Sequence, residues 1–469
     1  MSAREQGCRI GLRDDILTRP MSTESESTFA ASTPPSGPWP SQDSVPGDPA
    51  KSGFIYRRII WWGGLLVRAY HRVEVVGEAF PESSPVLVVQ NHTNGLCDAH
   101  ILMSTTSRPL RLLVKYKLIS TPVIGWMLRR IQAVPVYRQK DGVDTRKNEQ
   151  SFEAINQTLR DRAVIALFPE GESLNSIGLR PLRSGVARMA VNAELSVEGG
   201  IGVQIVPVGV TYERRDRLRG LASTVIGPPI DVAPILAEYG NQPSREVVRA
   251  ILDRTAEGLS ELILNSESEE EHETAVALER LLPASAAPIG IRRKRAQAAL
   301  RADRSAKSGE RREAIRALGQ RFEAAGLVGD DVLGPAPSVR ATWGPLALWA
   351  PILLLGLPFW VPIALLAVLI SRLARSPDKA ITLRVLFGYL ALLILVPVVA
   401  GLGAWLGGWK GAGIGLLTFW FASQTFIPAL DQWLAARKRL GRRALEKEPE
   451  ALESLRASIR SIREAYAAP

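Results

Sequence analysis

Val86-Leu87-Val88-Val89-Gln90-Asn91-His92-Thr93-Asn94-Gly95-Leu96-Cys97-Asp98 runs an apolar, strand-like segment into a polar turn that contains a glycine and delivers a histidine and then an aspartate. This order predicts a strand that hands ionisable groups to a turn. Of the four histidines, His71, His92, His100 and His272, only His92 is followed at short range by both turn residues and a carboxylate. If the chain turns tightly at Asn94 and Gly95 and a helix begins just before Asp98, the carboxylate can hold one imidazole nitrogen while the other takes a proton from a hydroxyl. The hydroxyl then belongs to the substrate. A turn histidine making structural hydrogen bonds fits the same residues equally well. A metal site is not expected, because His100 has no Cys or Glu at a ligand spacing beside it.

Outward from this stretch, β-type runs recur at Val73 to Val76, Arg111 to Lys115, Val164 to Phe168, Val203 to Val210 and Thr224 to Ile226. Segments of helical period, such as Thr145 to Arg160 and Ser184 to Leu195, separate them. Strands alternating with helices of this length predict an α/β fold in which helices cover a sheet. Phe54 to Tyr70 is rich in aromatics and arginine and too short and basic to span a bilayer. It reads as an interfacial amphipathic helix over 51–72, or as a core helix packed on the domain behind it, two readings that do not exclude each other. The α/β region is expected to close near Asp231 and to end by 235. Ser244 to Leu264 then reads as a helix, the acidic run Glu267 to Glu273 as a solvated face or loop, and Ile291 to Ala325 as a basic helical arm within 236–340.

Composition separates the chain into two regimes. Hydrophobic residues make up 46% and charged residues 22%, ordinary averages for a globular protein, yet nearly all long apolar runs fall between Pro345 and Leu430. The formal charge of +11 lies beside apolar segments without interleaved aromatics. This argues against nucleic acid and for an anionic membrane surface or phosphorylated substrates. Cys8 and Cys97 are too few for a disulfide framework, so a reducing compartment is expected. Residues 1–50 lack the apolar core of a secretory signal and read as a disordered leader rich in Ser and Pro.

About 20 apolar residues are needed for each spanning helix, and Ile381 to Leu406 and Ile414 to Leu430 each come close. Pro351, Pro358 and Pro362 interrupt the preceding run, and Leu357-Pro358-Phe359-Trp360-Val361-Pro362 is expected to break a straight helix. The flanking segments are basic, including Arg372, Arg375 and Lys379 and the tail from Arg437 to Arg443, whereas the Gly407 to Gly411 connector carries only Lys410. Basic segments stay cytoplasmic, so 341–432 is expected to form a re-entrant hairpin and then two spans, with 433–469 a cytoplasmic helical tail. Gly403/Gly407 and Gly411/Gly415 suit close helix packing.

Four ordered blocks then carry a resemblance. Asn91-His92 with Asp98, Val134-Pro135-Val136-Tyr137-Arg138, Phe168-Pro169-Glu170-Gly171 and Ile205-Val206-Pro207-Val208-Gly209-Val210 occur in an order and spacing that resembles the glycerolipid acyltransferases of the PlsC type. The resemblance covers about residues 53 to 231. It implies a mixed sheet flanked by helices, with the acyltransferase domain at 73–235 and an all-α membrane region following. It further implies that His92 deprotonates a glycerol hydroxyl for attack on an acyl thioester and that Asp98 orients it. Asn91, Arg138, Glu170 and Gly171 would lie on the acceptor side, with Arg138 on a phosphate, and Pro207 would shape the cleft.

Two departures bear on the acceptor. Thr93 to Cys97 place five residues between His92 and Asp98 where the commonest family motif has four, a longer form shared by members resembling glycerol-3-phosphate or dihydroxyacetone-phosphate acyltransferases. Gly171-Glu172-Ser173-Leu174 replaces the family's Gly-Thr-Arg-Ser, which removes a phosphate-binding arginine that Arg180 or Arg183 would have to supply. The implied donor is acyl-CoA or acyl carrier protein near Lys115, Lys117, Arg129 and Arg130, residues that also read as general membrane-facing charge. The acceptor is a phosphorylated glycerol, the site lies on the cytoplasmic face of a cell inner membrane or equivalent, and no cofactor is implied. Gly171-Glu172-Ser173-Leu174-Asn175 lacks the last glycine of a serine-hydrolase elbow, and no phosphate loop with its lysine is present. The competing class is a membrane scaffold that keeps the fold without transfer.

Overall fold

The computed structural model describes residues 53–106, 108–138, 148–173, 176–372 and 377–466. The 1–50 leader lies outside them. The first part of the chain contains α1 (Phe54–Tyr70), β1 (His71–Gly77), β2 (Val86–Gln90), α2 (Gly95–Met103), β3 (Leu110–Lys115), α3 (Tyr116–Ile119), α4 (Pro122–Arg130) and β4 (Val134–Val136). There follow α5 (Asn148–Arg160), β5 (Val164–Leu167), α6 (Gly185–Glu194), β6 (Gln204–Tyr212), β7 (Gly220–Ile226), β8 (Ile230–Asp231), α7 (Val232–Glu238) and α8 (Arg245–Leu262).

The strands form one mixed sheet in the order β1-β7-β6-β2-β5-β3-β4, with β8 also paired to β6. β2 sits in the middle, parallel to both β5 and β6, while the β6–β7 and β6–β8 pairs are antiparallel. Its continuous apolar sequence follows from burial on both faces. Leu87 and Val89 enter the core shared with Ile155, Val186 and Ile251 of α5, α6 and α8, whereas Val86 and Val88 face Ile59 and Leu102 of α1 and α2. One turn of sequence thus fixes the register for two layers. Helix α1 packs Ile59, Leu66 and Val67 inward and leaves Phe54, Ile55 and Trp61 exposed, so it has one core face and one apolar outer face.

Topology places the four sequence blocks together. β2, β5, β3 and β4 are mutually parallel, and the residues after β2, β4 and β5 leave the sheet at its carboxyl edge. In open α/β sheets this edge is where ligands bind. β6 ends at the same edge, because it runs parallel to β2.

The expected basic arm is instead a packed bundle. α9 (Glu269–Leu281), α10 (Ile289–Ala302), α11 (Ser308–Ala325) and α12 (Gly329–Leu333) bury Leu278, Ala296, Leu300, Ile315 and Val332 in a core of their own. Asp303 ends α10 by accepting from the backbone and hydroxyl of Ser305, which divides the long basic run into two helices. The acidic run forms the cap and first turn of α9, where Ser268 accepts from Glu271 N and the carboxylates meet the positive end of the helix dipole. The C-terminal segment is the fifth wall of this bundle, since α15 (Pro449–Ala465) adds Leu452, Leu455, Ile459 and Ile462 to the same core.

Between these elements run α13 (Val339–Ser371) and α14 (Pro377–Leu445). α13 is one continuous helix with Pro345, Pro351, Pro358 and Pro362 inside it, so the hairpin break expected there does not occur. Each proline removes only one N–H and its fixed φ suits a helix, so the remaining backbone bonds of α13 are kept. α14 does turn, at Gly407 and Gly408, where Gly408 adopts φ +60. Its two arms, 377–406 and 409–445, approach so closely that a Cβ on Gly403 would lie 2.4 Å from Gly411 O. Val339–Ser371 and Ile394–Leu445 are long and apolar enough to cross a membrane.

Candidate active site

The site grows from the end of β2. Asn91 is pinned to β6 by a two-way bond, donating to Val210 O at 3.0 Å and accepting from Val210 N at 2.7 Å. Gly95 then takes φ +48 to start α2, and its N–H donates to Ser173 Oγ at 2.8 Å. This tight entry swings Asp98, in the first turn of α2, back under the imidazole. His92 Nδ1 lies 2.9 Å from Asp98 Oδ2.

Asp98 is fully buried and both its oxygens are engaged. Asn94 N donates to Oδ2 at 2.7 Å and Tyr212 Oη to Oδ1 at 2.6 Å. A carboxylate held by three donors stays fixed, and its acceptor role places the imidazole proton on Nδ1. Burial, then the neighbouring Asp98 charge, pushes the Tyr212 phenol well above its usual range, so it remains a donor. Among the described residues, nothing bonds His92 Nε2. Phe168 stacks on the ring at 3.9 Å between centroids and sets its plane.

The third block attaches from the neighbouring strand. Glu170 Oε1 accepts from His92 N at 3.0 Å, and its other oxygen pairs with Arg180 Nε at 2.9 Å. Arg138, after β4, donates to Gly171 O at 2.6 Å. Gly171 has φ +75, and a Cβ there would fall 2.4 Å from Arg183 Nε, so glycine is required by the turn and by the side chain lying over it. His92, Asp98, Asn91, Arg138, Glu170, Gly171, Arg180 and Arg183 therefore belong to one cluster at the carboxyl edge of the sheet.

Pro207 does not join them. It stands within β6, opposite Val89, and packs toward Gly227 and Gly258, so it shapes the interface with α8 and not the cleft. Of the basic residues considered for a donor, Lys115 ends β3 beside Val136, Arg129 donates to Ile119 O and Arg130 lies over Trp126. Cys97 is buried, and burial raises its thiol far above the usual range, which leaves it an inert packing residue.

Sequence reasoning missed Tyr212 and Ser173. Tyr212 lies two residues beyond the fourth block, and strand alternation would have put it on the face of Val210; its partner, 114 residues away, leaves no local signal. A further buried layer supports the turn from below. His71 Nε2 meets Asn94 Nδ2 at 3.3 Å while Nδ1 meets Gly220 O at 3.3 Å, and burial lowers the imidazole to about 4.

Part of the chain is similar to known proteins. Residues 72–211 match the family model described as Acyltransferase. The chain is 32% identical over 110 residues to Glycerol-3-phosphate O-acyltransferase 1 of Saccharomyces cerevisiae, covering 23% of this chain and 14% of that protein. It is 28% identical over 158 residues to a probable 1-acyl-sn-glycerol-3-phosphate acyltransferase of Mycoplasma genitalium, covering 32% and 56%. The crystal structure of the 1-acyl-sn-glycerophosphate acyltransferase PlsC from Thermotoga maritima superposes with a TM-score of 0.34 at 18% identity, covering 45% of this chain and 81% of that one. The chain thus spans only a small part of the yeast relative and about half of the mycoplasmal one. Residues 72–211 therefore form an Acyltransferase-family domain.

Proposed function

We propose that this chain is a membrane-bound O-acyltransferase that moves a fatty acyl group from acyl-CoA or acyl carrier protein to the hydroxyl of a glycerophosphate, either glycerol 3-phosphate or its 1-acyl derivative. The observation that carries the reading is the 2.9 Å bond between His92 Nδ1 and a buried, triply held Asp98, with Nε2 open for a proton. Nε2 takes the acceptor hydroxyl proton as its oxygen attacks the thioester carbonyl. The tetrahedral intermediate then expels the thiolate, which receives that proton from the imidazolium, so the base returns neutral. Asp98 stabilises the charged imidazole between the two transfers. No metal or redox group enters this scheme.

Arg138 and Arg183 flank the Gly171 turn and offer charge to the acceptor phosphate, whereas Arg180 is occupied by Glu170. The membrane assignment rests on the exposed apolar faces of α13 and α14, including Leu348, Leu365, Ile394, Leu402, Trp405 and Trp409. Arg439 donates to Ala341 O at one end of α13, and Arg384 meets both Ser371 at the other end and Tyr70 of the catalytic domain. Both ends of α13 are therefore tied to the protein. In this reading the arms of α14 cross the bilayer, the turn at Gly407 and Gly408 faces away, and the catalytic domain lies on the cytoplasmic face of the cell inner membrane or its equivalent.

Purified full-length protein incubated with labelled acyl-CoA or acyl carrier protein and a panel of glycerol 3-phosphate, lysophosphatidate and other lysophospholipids tests the reading. Transfer to one of the phosphorylated glycerols is expected. Absence of transfer from either donor to every acceptor would favour a scaffold that keeps the fold alone.

A further inference from the structure

A cleft of about 500 Å³ extends from the catalytic turn into the space between the β6–β7 turn and the helical bundle. Asn91, Thr93 and Glu170 line it, and so do Arg214, His272 and Arg293. Arg293, from α10, is only 5% exposed. Its Nη1 donates to Tyr212 O at 3.0 Å, yet among the described residues Nε and Nη2 have no hydrogen-bond partner. Burying a guanidinium with idle donors is costly. Nε and Nη2 share one edge of the guanidinium, the edge that forks onto two oxygens of a phosphate.

The surroundings favour an anion. Among the described residues, Arg214 Nε is also buried without a partner. The carboxylates of the same walls are engaged, Glu170 with Arg180 at 2.9 Å, Glu213 with Arg72 at 3.6 Å and Glu323 with Arg280 at 3.5 Å, while Asp216 and Glu273 are exposed. Arg316 is paired with Glu270. The buried charge left over in the cleft is therefore positive, that of Arg293 with Arg214 beside it.

We propose that this cleft is a phosphate-ester site, anchored by Arg293, that holds the phosphorylated end of one substrate of the reaction proposed above. The bundle would then supply the arginine that Gly171-Glu172-Ser173-Leu174 lacks. The inference rests on the acyl-transfer reading for its meaning but not for its test, because binding is measured without turnover. Tyr212 links the two sites: its carbonyl accepts from Arg293 and its hydroxyl holds Asp98, so an anion on Arg293 sits behind the catalytic dyad.

Isothermal titration of the full chain in detergent with glycerol 3-phosphate, and separately with coenzyme A, measures the site directly. Arg293→Lys keeps charge but loses the fork, and Arg293→Gln loses both; each should weaken one of the two probes by about ten- to a hundredfold. The affected probe identifies the source, acceptor or donor. Arg214→Gln leaves the bond to Tyr212 O intact and should weaken the same probe severalfold, which decides the matter if the Arg293 variants do not fold. Unchanged affinity for both probes in the folded variants, or no binding of either probe by the parent, would overturn the proposal. Arg293-dependent binding without acyl transfer would leave the site standing and remove the proposed reaction, while transfer with Arg293-independent binding would do the reverse.

Discussion

Asp98→Asn separates the charge of the orienting group from its hydrogen bonds. The amide oxygen can take the place of Oδ2, keeping the bonds from His92 Nδ1 and Asn94 N, while its NH2 turns toward the Tyr212 hydroxyl, which then accepts. The imidazole tautomer survives, and only the negative charge is lost. A carboxylate and an imidazolium about 4 Å apart, at an effective dielectric of about 20, interact by roughly 4 kcal/mol. Each ~1.36 kcal/mol is about a tenfold change in rate, so kcat should fall about 10³-fold. KM should move little, since Asp98 is buried and reaches substrate only through His92. Initial rates with labelled acyl donor at saturating acceptor give kcat, and circular dichroism melts confirm the fold. A loss of less than tenfold in a folded Asp98→Asn protein would refute the claim that this carboxylate stabilises a charged imidazole during transfer.

Tyr212→Phe removes the third donor to Asp98 and should cost about 1.5–3 kcal/mol of stability, read by denaturant unfolding; an unchanged midpoint would count against the hydroxyl as a support. Arg219, 9% exposed, bonds both oxygens of Asp431 and the backbone carbonyls of Ala69 and His71. Arg219→Ala should destabilise by about 3 kcal/mol, the low end for a broken buried pair because Asp431 keeps a third of its exposure, and the thermal midpoint measures this. Burial holds the His71 imidazole at about 4 against 6.5 when free. The unfolded chain therefore binds a proton there that the native one does not, and stability present above about pH 6.5 should fall by on the order of 3 kcal/mol as pH drops to about 4. His71→Gln should flatten that part of the pH–stability curve, and an unaltered curve would exclude His71 as its source.

The His92–Asp98 pair was legible because its geometry is local: the two are six residues apart, and Gly95 marks the turn that brings them together. Glu170 and Arg138 were legible as motif residues, but why Glu170 meets His92 was not. That depends on β5 lying next to β2 in a parallel sheet, a pairing between segments some 78 residues apart. Apolar runs marked the strands at both ends of this pairing, whereas Val134–Val136 is too short to announce itself as a strand. The bundle was hidden for a different reason. Its helices are rich in arginine and read as solvated until Arg293 and Arg280 are seen inside, and its fifth helix comes from the far end of the chain. Proline propensity misled over α13, since each ring keeps a helical φ and costs the helix only one N–H.

The central claim is that His92 is the base of acyl transfer. The direct measurement is the rate of transfer of labelled acyl groups to the best acceptor by folded His92→Ala protein and by the parent, assayed side by side. A fall of about 10² to 10⁴ is predicted, the usual contribution of a positioned base; equal rates would contradict the account.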